Sequence, residues 1–319
     1  MRSQLIAGIN KINSLGSLFP GVINFILRNT FLAGLTKRML GFATQRSFPA
    51  LSKYTLKSWF KKYSVSRNND RLVKGKVFLF ADEFTNYHDT EIGIKTIKLL
   101  THLGYKVELA SVGLSGRTYL SKGLLRKAKK IANINVEALK KIISGSSPLI
   151  GIEPSAILSF RDEYPELVDA SLKDASLILA SFSLLIDEFI VAEFEKGKIS
   201  KSLFTDENQE IRLHGHCHQK SIASTEATKK MLEIPANYSV EEIKSGCCGM
   251  AGAFGYEKEH YEISMKIGEL VLFPEVRRTP QDFIIAAPGT SCRQQIFDGT
   301  GRKALHPVEV MYEALNPNS

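Results

Sequence analysis

Short apolar runs alternate with helical patterns over most of the chain. Residues 76–84 (KVFLFADEF) and 105–112 (YKVELASV) predict strands, and residues 91–103 predict the helix between them. Two helices and a strand with its turn follow, at 121–132, 136–144 and 148–157. Strand–helix–strand alternation of this kind predicts an α/β domain with a mainly parallel sheet.

The second half of the chain repeats this plan. The predicted strands, each running into a turn or a glycine loop, lie at 211–221, 240–255 and 282–292, and helices are expected at 225–232 and 257–271. In open α/β sheets, ligands bind beyond the carboxyl ends of the strands. The first half places Asp82, the loop 113–117 (GLSGR) and residues 153–156 at those ends, whereas the second half places cysteines there. We therefore expect two pseudo-repeated units, one with an occupied site and one with a vacant site.

Residues 1–70 have a different character, and the predicted helices there are punctuated by Gly16, Pro20, Gly41 and Pro49. This segment carries a charge of +10, so the other 249 residues sum to −1. A basic segment with interleaved apolar residues can contact nucleic acid, an anionic membrane or an acidic partner, or can be a solvated helical face. No nucleic-acid-binding motif accompanies this segment, which argues against a nucleic-acid partner.

The predicted divisions of the chain are a basic helical arm at 1–72 and α/β units at 73–205 and 206–319.

Composition narrows the class of protein. With 44% hydrophobic and 24% charged residues, the 319-residue chain is typical of a soluble globular protein. No secretory pattern follows Met1, and no apolar stretch reaches the roughly 18 residues that a spanning helix needs. The sequence therefore predicts a cytoplasmic location. In a reducing compartment, clustered cysteines more often bind metal or react than form disulfides.

All four cysteines lie in the second half, each at a predicted junction of strand and loop: Cys217, Cys247, Cys248 and Cys292. Four thiolates that converge on one point can hold one four-iron cluster. Adjacent cysteines chelate a single ion poorly, but each can bind a different iron of one cluster. Gly246 and Gly249 flank the pair, where glycine lets the backbone approach an inorganic core and donate hydrogen bonds to sulfur. The alternative is that the cysteines are small buried residues.

Histidine and polar residues surround these positions. On a strand, His214, His216 and His218 would share one face and Cys217 would take the other. We therefore expect these histidines to tune a cluster rather than to bind metal directly. If one of them does bind metal, His218 is the best candidate. His306 can approach the same site or pack in the core. Arg293 and Gln295 follow Cys292, and Arg293 can bind an anion, offset cluster charge or pair with a carboxylate. We also expect ion pairs between the units from residues 161–163 (RDE).

Three motifs resemble the cysteine-rich CCG domain: HCHQK (216–220), GCCGMAGAFG (246–255) and PGTSCRQQI (288–296). That domain occurs in the B subunit of heterodisulfide reductases and in iron–sulfur subunits of glycolate and glycerol-3-phosphate dehydrogenases. The chain is most similar to the C-terminal region of FAD-linked oxidases of the D-lactate dehydrogenase type, over about residues 74–315. In the first unit, Leu114, Ser115 and Ala156 stand where the family has cysteines, so the resemblance implies no cluster there.

The resemblance implies an iron–sulfur electron-transfer component of an FAD-linked dehydrogenase that oxidises a 2-hydroxy acid of the lactate or glycolate type. The chain carries neither a flavin domain nor a ferredoxin-type cysteine run, so FAD and relay clusters are expected on partner chains, an FAD dehydrogenase subunit and a ferredoxin-type protein. The basic arm is expected to dock on a partner or on the cytoplasmic face of a membrane. The alternatives are a thiol–disulfide reductase of the heterodisulfide type and a zinc-stabilised scaffold.

Overall fold

In the computed structural model, residues 2–65 and 73–316 of the chain are described. The described chain begins with a helical arm, as the sequence predicts. Its helices end or begin at the expected punctuation: Pro20 opens one helix, and Gly41 ends another in the left-handed conformation at φ 75°. The arm helices are α1 (Arg2–Ala7), α2 (Ile9–Gly16), α3 (Pro20–Arg28), α4 (Thr30–Leu40) and α5 (Leu56–Val65).

The first α/β unit follows the arm. Its strands are β1 (Gly75–Leu79), β2 (Tyr105–Leu109), β3 (Leu149–Gly151) and β4 (Ser183–Leu185). Its helices are α6 (Thr90–His102), α7 (Arg117–Leu120), α8 (Leu125–Leu139), α9 (Pro154–Ile157), α10 (Glu163–Leu167), α11 (Lys173–Ser181) and α12 (Ile186–Glu195). Short 3₁₀ turns cover Leu158–Phe160, Ala170–Leu172 and Lys201–Leu203.

The second α/β unit occupies the rest of the described chain. Its strands are β5 (Gln209–Leu213), β6 (Tyr238–Glu242) and β7 (Ile284–Ala286). Its helices are α13 (Cys217–Ile222), α14 (Glu226–Leu232), α15 (Tyr261–Leu270), α16 (Leu272–Arg278), α17 (Thr290–Thr300) and α18 (Pro307–Glu313), with 3₁₀ turns at Phe254–Tyr256 and Lys258–His260.

Both sheets are parallel throughout, which confirms the predicted fold class of two α/β units behind a helical arm. The first has the strand order β2-β1-β3-β4, and the second has β6-β5-β7. In each sheet the first strand of the unit lies between the second and the third. Val77 pairs with Val107 in the first sheet, and Ile211 pairs with Val240 in the second. The shared order agrees with the internal repetition seen in the sequence.

Successive side chains of the central strands point to opposite faces of the sheet, so apolar residues form a core on each face. Val77 and Leu79 enter a core that also contains Leu213 and Val240 of the second sheet, whereas Phe78 packs in a separate core under α8. The two units therefore share one continuous apolar core. A third core lies on the other face of the second sheet, between β7, α16 and α17, and it includes Cys248 and Cys292.

Several element boundaries differ from the sequence-based prediction. The strands are shorter than the apolar runs: the first ends at Leu79, where residues 76–84 were expected to be strand. The two helices predicted at 121–132 and 136–144 are largely one helix, α8, because residues 133–135 carry no helix-breaking residue. Strand β4, the helices α7, α9 to α13, α16 and α18, and the helix that contains Cys292 were not predicted. The proposed divisions at 72/73 and 205/206 stay predictions, and residues 66–72 lie outside the described chain.

The arm packs on the second unit through a buried arginine. Arg46 is 1% exposed and donates from Nε to the Gly255 carbonyl oxygen at 2.8 Å and from Nη2 to Ser264 Oγ at 2.7 Å. Its Nη1 pairs with Asp298 at 3.2 Å. This arginine is therefore a structural anchor rather than a solvated surface charge. Across the described helices, none combines the length and the apolar character needed to cross a bilayer.

Candidate metal centre

The cysteines lie where the strands of the second sheet end. Because β5, β6 and β7 are parallel, their carboxyl ends meet at one edge of the sheet. Cys217 follows β5 by four residues, Cys247 and Cys248 follow β6, and Cys292 follows β7 by six residues. Four thiols from three separate chain segments thus reach the same edge.

Cys217 is the first residue of a helix, not part of a strand. β5 ends at Leu213, and His216 caps helix α13 by accepting a hydrogen bond at Nδ1 from the His218 backbone N–H at 3.2 Å. The predicted arrangement, with three histidines on one strand face and Cys217 on the other, is therefore wrong. A histidine cap is an uncommon helix start, and the period-two pattern of the sequence conceals it. The helix leaves Cys217 exposed at the rim of the site.

The loop after β6 shapes the position of the vicinal pair. Gly249 has φ 96°, and a Cβ built there would lie 2.3 Å from the Ser264 carbonyl oxygen, so glycine is required at this position. Its backbone N–H donates to Cys247 Sγ at 3.3 Å. The space beside Gly246 is open, and no described protein atom requires glycine at this position. The close backbone approach expected of both glycines thus holds for Gly249.

Cys292 lies in the first turn of α17. Gly289 precedes the helix, and a Cβ there would meet the His216 ring at 2.4 Å and Cys292 Sγ at 3.2 Å. The absence of a side chain at Gly289 lets the helix start pack against the His216 cap. Cys292 is 1% exposed, and its position near a helix N-terminus favours negative charge on its sulfur.

The four thiols form a chain of contacts. Hydrogen bonds with Cys217 and then Cys248 lower the pKa of Cys247 to about 2, and the same bonds raise the pKa values of both partners. A hydrogen bond from Cys248, followed by the influence of His214, lowers the pKa of Cys292 despite its burial. The thiolate form is the one that binds metal. The mutual hydrogen bonds therefore favour the thiolate at Cys247 and Cys292 over the thiolate at Cys217 and Cys248.

His214 is the histidine that the structure places among the cysteines. One of its ring nitrogens, Cys248 Sγ and Cys292 Sγ lie within 4.8 Å of one another, and the ring is completely buried. Nδ1 is 2.7 Å from Ser245 Oγ, and a hydrogen bond between the ring and Cys292 contributes to the lowered pKa of that thiol. A buried imidazole beside two thiols can likewise donate a hydrogen bond to the sulfur of a bound cluster. The sequence pattern favoured His218 instead, because alternation alone cannot tell the two histidines apart.

The polar residues after Cys292 hydrogen-bond to the backbone and side chains around the cysteine site. Gln295 is buried and donates from Nε2 to the Cys248 carbonyl oxygen at 2.8 Å and to the Ser264 carbonyl oxygen at 3.1 Å. Arg293 donates from Nη2 to Asp89 Oδ2 at 2.6 Å and from Nη1 to the Pro288 carbonyl oxygen at 2.7 Å. Of the roles considered for Arg293, carboxylate pairing is the one present, and it joins the two units.

The remaining candidate histidines lie at the contact between the units. His306 caps α18 through Nδ1, and its Nε2 is 3.0 Å from the Ile152 carbonyl oxygen; burial lowers its pKa to about 3. It is a packed histidine. Burial, followed by the nearby Arg117 charge, lowers the pKa of His218 to about 4.

The ion pairs expected between the units from residues 161–163 are mostly wrong. Arg161 pairs with Glu188, and Glu163 pairs with Arg117, both within the first unit. Asp162 reaches the second unit, where its Oδ2 lies 3.9 Å from His218 Nε2.

The strand ends of the first unit carry carboxylates instead of thiols. Ser115 donates its backbone N–H and its hydroxyl to Glu83 at 2.9 and 2.7 Å, and Ala156 is buried. Glu153 accepts from the Thr290 backbone N–H at 2.8 Å, across to the helix of Cys292. Burial alone would raise the pKa of Glu153, but the His216 ring and this hydrogen bond outweigh it and lower the pKa. The vacant site is thus filled by a polar network that contacts the cysteine-bearing unit.

The chain has relatives among known proteins. No protein-family model matches the chain. It is 24% identical to D-2-hydroxyglutarate dehydrogenase of Escherichia coli (strain K12) over 322 residues, covering 99% of this chain and 30% of that protein. It is 25% identical to the C subunit of anaerobic glycerol-3-phosphate dehydrogenase of the same strain, covering 99% and 77%. It is 26% identical to lactate utilization protein A of Bacillus subtilis (strain 168), covering 76% and 99%.

The chain is a relative of these proteins. The predicted resemblance is thereby confirmed, and the cysteine and histidine grouping fits a metal cluster. The chain spans 30% of the length of the D-2-hydroxyglutarate dehydrogenases that it matches.

Proposed function

We propose that Cys217, Cys247, Cys248 and Cys292 hold one iron–sulfur cluster of the four-iron type, and that the chain is an electron-transfer component of a dehydrogenase. The convergence of four thiols at one sheet edge supports this most strongly. Bound in this way, such a cluster would accept and release single electrons. Three chain segments supply the ligands, which suits an inorganic core larger than a single ion.

The protein groups around the cysteines would set the reduction potential of a bound cluster and the side from which electrons reach it. The Gly249 N–H and the first turn of α17 direct positive charge at sulfur, which raises the reduction potential of a bound cluster. Cys248 and Cys292 lie in the apolar core, whereas Cys217 is exposed. Electrons would therefore enter and leave on the side of Cys217, where another protein can approach without unfolding this one.

The electron donor would be a flavin on another polypeptide. The relatives include one subunit of a dehydrogenase and dehydrogenases more than three times as long as the matched segment, which supports partner chains here. We propose an FAD-containing dehydrogenase chain and a ferredoxin-type iron–sulfur protein as those partners. The names of the D-2-hydroxyglutarate and lactate relatives favour a 2-hydroxy acid as the substrate. The free thiols suit the reducing cytoplasm.

Reduction by substrate tests this function. The protein would be purified anaerobically from its own cells with its attached polypeptides, and lactate, glycolate and 2-hydroxyglutarate would be added in turn. We expect flavin in a co-purifying chain and bleaching of the visible cluster absorbance by one of these acids. A Cys292→Ser complex should retain the flavin and lose the bleaching, whereas Ser181→Ala, an exposed control, should behave as wild type. Colourless protein with titratable thiols would leave only thiol–disulfide chemistry, and zinc without sulfide would indicate a scaffold.

We further propose that the arm lies on an anionic membrane surface at the cytoplasmic face. Phe31, Leu35 and Met39 are four residues apart on one side of α4, and Phe31 and Met39 are 76% and 78% exposed. In the described part of the arm, further exposed aliphatic and phenylalanine side chains are Ile12, Leu15, Leu18, Phe19, Val22 and Phe25. The same arm exposes the basic residues Lys11, Arg28 and Arg38, so it offers apolar groups for acyl chains and positive charge for anionic headgroups.

Vesicle sedimentation tests the membrane contact. Binding is expected to vesicles of phosphatidylcholine with phosphatidylglycerol, to weaken with salt, and to be much weaker on phosphatidylcholine alone. The change Phe25→Ser with Phe31→Ser should lower binding at least about tenfold, because two aromatic side chains are lost from the contact. Phe297→Ser, an exposed phenylalanine outside the arm, is the control. Equal sedimentation of the double variant and wild type would contradict the proposal, as would an arm that binds only the flavoprotein.

A further inference from the structure

Three side chains from the two units meet beside the cysteine site. Asp162 precedes α10 and Glu163 begins it, whereas His218 is the second residue of α13. One potential ligand atom from each residue lies within 4.8 Å of those of the other two. The set is distinct from the cysteines and draws its carboxylates from the first unit and its imidazole from the second.

The histidine in this set has no hydrogen-bond partner. Its side chain is 10% exposed, and neither ring nitrogen is accessible or hydrogen-bonded in the described structure. Glu163 Oε2 is likewise buried and unpartnered in the described structure. A buried polar atom without a partner costs about 1–3 kcal/mol, so an unpartnered imidazole beside an unpartnered carboxylate oxygen calls for a ligand. His218 Nε2 and Asp162 Oδ2 are 3.9 Å apart, too far for a hydrogen bond. Two ligands about 2.1 Å from one ion lie about 3.0–3.4 Å apart at octahedral or tetrahedral angles, so the exposed Asp162 side chain moves by roughly 0.5 Å to share an ion with His218.

We propose that Asp162, Glu163 and His218 bind a divalent first-row transition-metal ion. One imidazole and two carboxylates form a nitrogen–oxygen donor set that suits manganese, iron or zinc ions, unlike the thiolates nearby. Arg117 pairs with Glu163 through Oε1 and leaves Oε2 for the ion. The arginine charge lowers the affinity of the site for a cation. Asp162 is 55% exposed, so the ion enters from solvent and keeps water ligands on that side.

The ion would fix one helix relative to the other. α13 begins at Cys217, one residue before His218, so a metal that joins His218 to α10 holds the orientation of the segment that carries the exposed cysteine. The site therefore acts as a clamp between the first unit and the rim of the cysteine site. This role does not depend on the nature of the centre that the cysteines hold.

Titration with Mn²⁺ followed by EPR tests the proposal, because bound Mn²⁺ loses the six-line signal of the free ion and has little affinity for thiolates. The full chain, purified anaerobically, should bind one equivalent. Asp162→Asn and Glu163→Gln should each weaken binding at least about tenfold, because loss of even an outer-shell partner costs about 10–100-fold in metal affinity. Glu166→Gln, an exposed acid on the same helix, is the matched control and should bind as wild type.

Two further measurements separate this site from the cysteines and from misfolding. Cys292→Ser should bind Mn²⁺ with unchanged affinity even if it loses all iron, so failure of the cluster proposal leaves this result intact. Mn²⁺ should raise the melting temperature of wild type and not that of Glu163→Gln, provided that both unfold cooperatively without the ion. Absence of Mn²⁺ binding to the wild type, or equal binding to Glu163→Gln, would overturn the proposal.

Discussion

Gln295 holds the loop of the vicinal cysteines by donating from its side-chain amide to the Cys248 carbonyl oxygen at 2.8 Å. The same amide donates to the Ser264 carbonyl oxygen at 3.1 Å, so one buried side chain ties α17, the cysteine loop and α15 together. Gln295 lies three residues after Cys292 on the same helix, and it fixes the spacing between Cys248 and Cys292 through the backbone of the loop.

Removal of this amide should loosen the site. Gln295→Leu leaves two buried carbonyl oxygens without their donor, which should lower the free energy of unfolding by about 1–3 kcal/mol. Iron content per chain should also fall, because the loop no longer holds Cys248 in place. Urea unfolding and iron analysis measure both effects. Gln294→Leu is the control, since Gln294 contacts Ser47 and Asp298 rather than the cysteine loop. Full iron content and unchanged stability in Gln295→Leu would refute this role.

Two glycines beside the vicinal pair should respond differently to alanine. Gly249→Ala introduces a Cβ at φ 96° and within 2.3 Å of a carbonyl oxygen, so it should destabilise the fold by about 1–3 kcal/mol or more. Gly246→Ala adds a Cβ to open space and should change the free energy of unfolding by less than about 0.5 kcal/mol. Urea unfolding of both variants checks this contrast. Equal stabilities would show that the loop is not held as described.

His214 should tune the centre through the ring nitrogen that faces the cysteines. When Nδ1 accepts from Ser245, Nε2 carries the proton and can donate toward the cysteine sulfurs. His214→Leu removes that donor and should lower the reduction potential of the cluster, because hydrogen bonds to sulfur raise it. His214→Gln keeps a donor and should restore part of the potential. Potentiometric titration followed by EPR provides the measurement. An identical potential in wild type and His214→Leu would show that the ring does not act on the centre.

Glu193 supplies a stability contribution with a defined pH range. Burial alone would raise its pKa, but hydrogen bonds from Lys196, Lys198 and Tyr105 lower it to about 2, from an ordinary 4.5. A carboxyl whose pKa is lowered by folding stabilises the native state above its unfolded pKa, and the effect disappears as pH falls toward the folded pKa.

The difference in stability between wild type and Glu193→Gln should therefore be largest above about pH 4.5 and shrink between about pH 4.5 and pH 2. Glu195→Gln, an exposed acid on the same helix, should show no such trend. Urea unfolding at several pH values measures the difference in free energy of unfolding between the two proteins. If both proteins lose an acid-labile group, this difference is unaffected. A difference that stays constant with pH would contradict the assignment.

The sequence predicts the general fold well for a physical reason. Runs of apolar β-branched residues between helical patterns allow few arrangements other than parallel strands with helices on both faces. The position of the cysteines after strands could be predicted for the same reason. Leu79 ends its strand earlier than the apolar run does, since Phe80 and Ala81 are buried without belonging to the strand.

What could not be predicted depends on contacts between distant residues. His216 caps the helix that begins at Cys217, and its ring packs closely against Gly289, 73 positions away. The choice of His214 rather than His218 beside the thiols follows from that helix. Arg46 carries the same charge as its exposed neighbours in the arm, and its burial depends on Gly255, Ser264 and Asp298. The local pattern of apolar and polar residues does not reveal these contacts between distant positions.

The iron and acid-labile sulfide content of the anaerobically purified chain tests the central claim most directly. We predict about four irons and four sulfides per chain in wild type, as a four-iron cluster requires, and loss of most of both in Cys217→Ser, Cys247→Ser, Cys248→Ser and Cys292→Ser. Wild-type protein with four free thiols and no sulfide, or full iron retained after loss of the buried thiols of Cys248 and Cys292, would contradict it.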